Sequence, residues 1–298
     1  ISRLSDIKYR VYTSGMLAEE QVRFNDKLLK RSMKALNQDL KRWEQRDLEA
    51  RQFLDVNSDD LALREKVANF SEPLLAKITT GSCEEITFIS DLPEWGKRSR
   101  KRRKLKYEIF KRMEESKQRL YIDSPYFITD RQSKKVLKRS FSKDKKLRLI
   151  TNGLFSTDAI YVNAVFNSSI LKWIKKGLDV NTYRGVLPEN YPVLTDKIKD
   201  ARWGTHSKSF IFDDSFLVGS YNFDPRSSLY DMELAIFCDG SPELLQEMLT
   251  MFNQKIEKSN QLSSRKDINN YKFKKIKFKK VLAYYLVKPF AMLLRNLL

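Results

Sequence analysis

Apolar residues recur along this chain in two rhythms. Between residues 17 and 53, Leu17, Val22, Phe24, Leu28, Leu29, Met33, Leu36, Leu40 and Trp43 return at three- and four-residue steps amid charge. That is the period of one helical face, and no Pro or Gly interrupts it. With Asn57-Ser58-Asp59-Asp60 placed to end one helix and cap another, residues 1–75 read as a helical connector. From Glu84 the texture changes. Short apolar runs at 86–89, 120–123, 147–151 and 180–183 alternate with longer periodic stretches at 101–117, 130–141 and 158–176, the last closed by Gly177. Strands alternating with helices predict βαβ units, hence an α/β domain with a mostly parallel sheet flanked by helices. Sites in such sheets lie at the carboxyl ends of strands, which draws attention to Asp123, Ser124 and Asn152. Runs at 209–212 and 216–218 flank Asp213-Asp214-Ser215 and predict a tight β-hairpin. A strand at Met232–Ile236 and a helix at 241–259 capped by Ser241 follow. The expected organisation is a connector over 1–75, a sheet-bearing domain over 76–265 and a tail over 266–298.

Composition narrows the partners. Of 298 residues, 41% are hydrophobic, enough for a real core, and 57 Lys plus Arg stand against 38 Asp plus Glu for a net charge of +19. So basic a balance favours polyanions: nucleic acid, an anionic membrane leaflet or phosphate-bearing substrates. The two cysteines, Cys83 and Cys238, are far apart and lack metal spacing, which argues against a disulfide framework and a zinc site and fits a reducing compartment. The chain begins at Ile1, so a processed or partial chain is expected, with any leader or anchor upstream of view. His206 is the only histidine. No His-based metal site or Cys–His pair elsewhere competes with it.

The chemistry concentrates around that residue. His206-Ser207-Lys208 is followed by four residues, Asp213, five residues, and then Gly219-Ser220-Tyr221-Asn222. On a strand, positions i and i+2 share a face, so His206 and Lys208 project together, as do Ser220 and Asn222 on the neighbouring strand. Imidazole, ammonium, hydroxyl and carboxamide converging on one volume suit a phosphate. Lys208 neutralises charge, Ser220 and Asn222 donate to non-bridging oxygens, and a neutral His206 attacks phosphorus. Gly219 allows close backbone approach. Glu233 is placed to accept from the second imidazole nitrogen and fix the tautomer. No metal or organic cofactor is called for.

This stretch resembles the HxKxxxxD…GSxN signature of the phospholipase D superfamily. Asn222-Phe223-Asp224-Pro225-Arg226-Ser227 is similar to the NxDPRS of its bacterial cardiolipin synthase-like members. Thr151-Asn152-Gly153, Ser156-Thr157-Asp158-Ala159 and Ser124-Pro125-Tyr126-Phe127 resemble further segments of that subfamily, so the likeness spans roughly residues 84–240. It implies a phospholipase-D-like domain in which His206 is the phosphohistidine nucleophile or its acid/base partner. Lys208, Ser220 and Asn222 then hold the phosphate, Glu233 orients the histidine, and Asp213 is mainly structural. Two departures stand out. The hairpin is one residue shorter than the family's, so it must close as a two-residue turn without flipping the alternation. Asn163 also stands where relatives often carry a histidine. Family members pair two such motifs, so the resemblance implies a second half-site, either upstream of Ile1 or from another chain.

Two basic segments remain. Lys97 to Lys106 holds eight cations in ten positions, a nucleic-acid patch or a solvated helix start, with little aromatic interleaving for base stacking. In the tail, Tyr271 to Lys280 carries six lysines and leads into an apolar stretch to Leu298 interrupted by Lys288 and Pro289. Only seven apolar residues precede Lys288, far short of the ~20 that span a bilayer, so the tail is expected to lie amphipathically on an anionic surface. The expected function is a membrane-associated phosphatidyltransferase of the cardiolipin synthase type, peripheral on the cytoplasmic face of a bacterial inner membrane and acting on phospholipids. A phospholipase or a nuclease of the same superfamily, or a non-catalytic membrane scaffold, are its rivals.

Overall fold

The structure, a computed structural model, describes residues 79–91, 103–141, 144–185, 203–272 and 276–295, with scattered helical positions between 37 and 69. The expected connector and the basic run up to Arg102 lie mostly outside the described residues. The chain divides into two compact units, residues 1–73 and 74–298, and the second carries the sheet.

The apolar runs at 120–123 and 147–151 form strands that are largely buried, whereas the run at 86–89 forms a strand that keeps Ile86 and Phe88 exposed. β1 (Glu85–Ser90), β2 (Arg119–Asp123), β3 (Lys146–Asn152) and β4 (Asp179–Tyr183) are joined by β5 (Ser209–Phe212), β6 (Ser215–Gly219), β7 (Leu234–Asp239) and β8 (Ser259–Leu262). They make one eight-stranded sheet in the order β1-β7-β6-β5-β2-β3-β4-β8. The sheet is mixed, not mostly parallel. Only β2–β3 and β3–β4 pair in parallel. The other five neighbours, β1–β7, β2–β5, β4–β8, β5–β6 and β6–β7, are antiparallel. The βαβ rhythm ends at β4; from there the chain runs as a meander, and β8, which the polar run Ser259-Asn260-Gln261-Leu262 conceals, adds an antiparallel edge.

Helices cover both faces. On one side α1 (Lys104–Glu115), α2 (Arg131–Ser140) and α3 (Ile160–Ser169) bury Leu105, Ile109, Met113, Leu137 and Phe166 against Ile122, Leu149, Phe210 and Phe237. The predicted helix at 158–176 breaks at Ile170, and a short α4 (Leu171–Ile174) follows before Gly177, whose φ of 99° ends the turn where an L side chain is strained. Asp130 caps α2 reciprocally with Ser133. After the site loop, α5 (Pro225–Leu229) starts with Asp224 as cap and Pro225 in its first turn. On the other face α6 (Pro242–Glu257) packs Leu245 and Phe252 on Tyr121, Ile211 and Phe216. Ser241 sits at its N-cap position but makes no side-chain cap bond there. Two helices complete the chain: α7 (Arg265–Lys272) and α8 (Phe278–Leu293).

The cysteines correct the sequence reading outright. Cys83 and Cys238 form a disulfide, 155 residues apart in sequence. Antiparallel pairing of β1 with β7 brings the run-up to one strand beside the end of the other. Residue spacing carries no trace of such a long-range pairing.

Candidate active site

The hairpin of β5 and β6 carries the motif. Phe212 pairs with Ser215, so Asp213-Asp214 forms the two-residue turn that the shortened spacing requires. Asp213 adopts φ 48° at its tip, and its carboxylate accepts the N–H groups of Lys117, Gln118 and Arg119 at 2.7–2.8 Å. Partial burial raises that carboxyl's pKa, but the three donors outweigh it and hold the group below its usual range. Asp213 is thus structural: it fixes the hairpin tip to the start of β2.

His206 and Lys208 lie in the extended run-up to β5, not on the strand itself. The Gly219 N–H donates to the Lys208 carbonyl at 3.1 Å, which continues the hairpin register by one step. His206 is exposed, and the Lys208 Nζ sits 3.1 Å from its Nδ1. An ammonium only donates, so Nδ1 is the acceptor whenever the ring is neutral. Half-burial lowers the Lys208 pKa, opposed by Glu233, Asp224, Asp123 and Asp158.

Gly219 is where β6 approaches β7 most closely: a Cβ there would lie 2.3 Å from the Leu234 carbonyl oxygen. Strict alternation would send Ser220 to the face opposite Lys208, but β6 ends at Gly219. The Ser220 hydroxyl turns back and donates to Glu233 Oε2 in a very short hydrogen bond. Glu233 therefore accepts from Ser220 rather than from the imidazole, which corrects the expected His206 contact. Burial pushes its carboxyl above the usual range, with the Ser220 and Ser227 hydroxyls drawing it back. Asn222 keeps its amide oxygen buried with no protein partner. Turning that amide over exchanges the free acceptor for a donor suited to phosphate oxygen.

Beneath these groups lies a layer that spacing only partly indicated. Asn152 and Asp123, at the ends of β3 and β2, both reach Thr205, the residue before His206. Lys255 of α6 completes the layer with a 2.5 Å ion pair to Asp123. Burial drives the Asp123 carboxyl upward, and the Lys255 ammonium and nearby hydroxyls oppose it. Lys255 and Thr205 carry no motif signal in sequence. Asn163, which stands where relatives often carry a histidine, is buried and donates to the Asn152 carbonyl at 3.2 Å. Asp224 also has a shifted acid: burial pushes it up to about 6, partly opposed by the Ser227 N–H at its cap. Among the described residues, no group of three His, Cys, Asp or Glu is placed to hold a metal ion.

Comparison with known proteins now adds to this geometry. The family model described as a cardiolipin synthase, PLD-like domain matches residues 109–256, which contain every residue of the motif. The chain belongs to the phospholipase D superfamily. A protein of Helicobacter pylori strain J99, described only as uncharacterized, is 32% identical over 140 residues, covering 46% of this chain and 27% of its own length. Cardiolipin synthase C of Escherichia coli K12 is 28% identical over 178 residues, covering 57% of this chain and 37% of its own. The chain thus spans roughly a quarter to a third of these curated relatives. The crystal structure of phosphatidylserine synthase from Haemophilus influenzae Rd KW20 aligns with a TM-score of 0.50 at 18% identity over 72% of this chain and 47% of that one, a likeness of fold. As a phospholipase D superfamily member, the chain has its motif on the antiparallel half of a mixed sheet.

Proposed function

We propose that this superfamily member is a membrane-associated phosphatidyltransferase of the cardiolipin synthase type, with His206 as the phosphate-accepting or acid/base group. The observation that carries the reading is the cluster itself. The chain's one histidine stands beside Lys208, whose carbonyl takes the Gly219 N–H one residue before the Ser220–Glu233 pair and whose ammonium feels the Glu233 carboxylate. At rest the Lys208 ammonium covers the Nδ1 lone pair. An incoming phosphodiester draws that ammonium onto its own oxygens and frees the ring. A ring nitrogen then bonds to phosphorus as the P–O bond to the departing alcohol breaks, and that alcohol takes a proton from an acid on the second half-site. A lipid hydroxyl, losing its proton to the same group, next attacks phosphorus and releases His206. Water in its place gives phospholipase chemistry. Lys208 supplies the cation that this sequence needs.

Two surfaces support the assembly this chemistry requires. Val218, Ile236 and Phe88 form one cross-strand row on β6, β7 and β1, flanked by Leu234 and Ile86, and each of the five is 49–64% exposed. That apolar patch adjoins Ser220 through Leu234 and suits a second catalytic half, from a longer chain or from another copy. The tail supplies the lipid-facing element. One stripe of α8, with Tyr284, Val287 and Ala291, packs with Val162 and Val165 of α3. The opposite stripe leaves Phe278, Leu282, Tyr285, Leu286, Phe290 and Leu293 exposed beside Lys277 and Lys279. Among the described residues no helix is long and apolar enough to cross a membrane. A cation-flanked apolar stripe fits the surface of an anionic bilayer. The Cys83–Cys238 disulfide favours the oxidising side of that membrane over the expected cytoplasmic face.

The test is product analysis with phosphatidylglycerol vesicles. Cardiolipin with release of glycerol supports the reading, and phosphatidic acid alone narrows it to a phospholipase. Cleavage of single-stranded DNA without lipid turnover overturns it in favour of a nuclease, the alternative that the +19 charge suggests.

A further inference from the structure

Thr205 is gripped from three directions. Its backbone N–H donates to Asn152 Oδ1 at 2.8 Å, and Asn152 Nδ2 donates back to its carbonyl at 2.9 Å, so one carboxamide spans one residue's main chain. Its hydroxyl donates to Asp123 Oδ1 at 3.1 Å, and the other Asp123 oxygen takes the Lys255 ammonium. Asn152 is fixed in turn by Asn163, whose amide oxygen accepts from Asn167 at 2.7 Å. Thus β2, β3, α3 and α6 all converge on the residue preceding His206.

The layer is costly to build. Asp123 is 2% exposed and Asn152 5% exposed. Burying such groups in exchange for one ion pair and a few hydrogen bonds adds little net stability compared with apolar packing. Meanwhile, among the described residues, the exposed His206 ring meets only the Lys208 ammonium within hydrogen-bond distance. The ring's place is therefore set by its backbone, and the buried groups hold the residue just before it.

We infer that Asn152, Asp123 and Lys255 are positioning residues that hold the His206 imidazole in reacting geometry by fixing Thr205, Asn152 through its peptide groups and Asp123 with Lys255 through its hydroxyl, without touching the substrate. The inference rests on the reading of His206 as the reacting group. Misplacing such a group by about 1 Å costs on the order of 10²-fold in rate.

Because His206 is the only histidine, the full chain gives one set of imidazole signals in a ¹⁵N-labelled NMR spectrum. The imidazole signals and the turnover of bis(4-nitrophenyl) phosphate are compared in the wild-type chain, Asn152→Ala, Lys255→Met and Lys255→Arg. Asn152→Ala is expected to split or broaden the imidazole signals and to lower kcat about 10²-fold with KM within about twofold. Lys255→Met is expected to do the same to a smaller degree, and Lys255→Arg to restore both. A single unshifted imidazole signal in Asn152→Ala and Lys255→Met overturns the inference. So does an equal loss in Lys255→Arg and Lys255→Met. If Asn152→Ala fails to fold, the Lys255 pair decides alone. The spectra need no turnover, so they judge the positioning role separately; a His206→Ala chain that keeps wild-type turnover defeats the functional reading instead.

Discussion

The two halves of the sheet divide the work. The antiparallel half, β5 to β7, presents the groups suited to react with a phosphate: His206 and Lys208 before β5, Ser220 after β6 and Glu233 before β7. The parallel half, β2 to β4, supplies Asp123 and Asn152 from its strand ends, both buried and both directed at Thr205 just before His206, Asn152 at its main chain and Asp123 at its hydroxyl. One half contacts the solvent that substrate would displace, and the other fixes where that contact occurs. Long connections separate the halves: Asn152 lies 53 residues from Thr205, and Lys255 lies 132 from Asp123.

Perturbing each half in turn sharpens this contrast. The largest stability effect is expected at the outer edge of the antiparallel half. Replacing both Cys83 and Cys238 by Ser removes a cross-link over 155 residues and should cost about 3–5 kcal/mol, read by urea unfolding with and without reductant. An unchanged midpoint would show that β1 needs no clip. Next comes Lys208→Ala, expected to lower turnover about 10²- to 10³-fold while the melting temperature holds. A melting loss as large as the activity loss would make Lys208 a structural residue and blur the division.

A smaller effect belongs to Asp224, between the halves. Its folded pKa of about 6 lies above the unfolded 3.8. Between those values the folded chain keeps a proton that the unfolded chain has lost, so stability falls as pH rises through the window. The fall should be up to about 3 kcal/mol, with the full contribution present below the unfolded value. Asp224→Asn should flatten that slope in urea titrations from pH 3.5 to 7; an unaltered slope would assign it to another group.

The same division explains what the sequence disclosed. The groups proposed to react sit on one hairpin and its flanks, within local reach, so spacing singled out His206, Lys208, Ser220 and Asn222 and required the Asp213-Asp214 turn. The parallel strands showed through as apolar runs, and their ends marked Asp123 and Asn152 as places to look, though not what they would hold. What escaped depends on pairing between distant segments. The antiparallel majority of the sheet, the polar edge strand β8, the Cys83–Cys238 link and the reach of Lys255 from α6 leave no local signature. Glu233 was found, but its partner was not, because β6 ends one residue before Ser220 and lets that hydroxyl turn back.

The central claim is that His206 forms the covalent bond to phosphorus or serves as its acid/base partner. The most direct measurement is rapid acid-free quenching of the chain with ³²P-labelled phosphatidylglycerol, beside His206→Ala. The account predicts that the wild-type chain turns the lipid over and that His206→Ala loses at least about 10³-fold of that rate. An acid-labile, base-stable label that disappears with the substitution would make His206 the nucleophile itself. Turnover that survives His206→Ala at the wild-type rate would contradict the account.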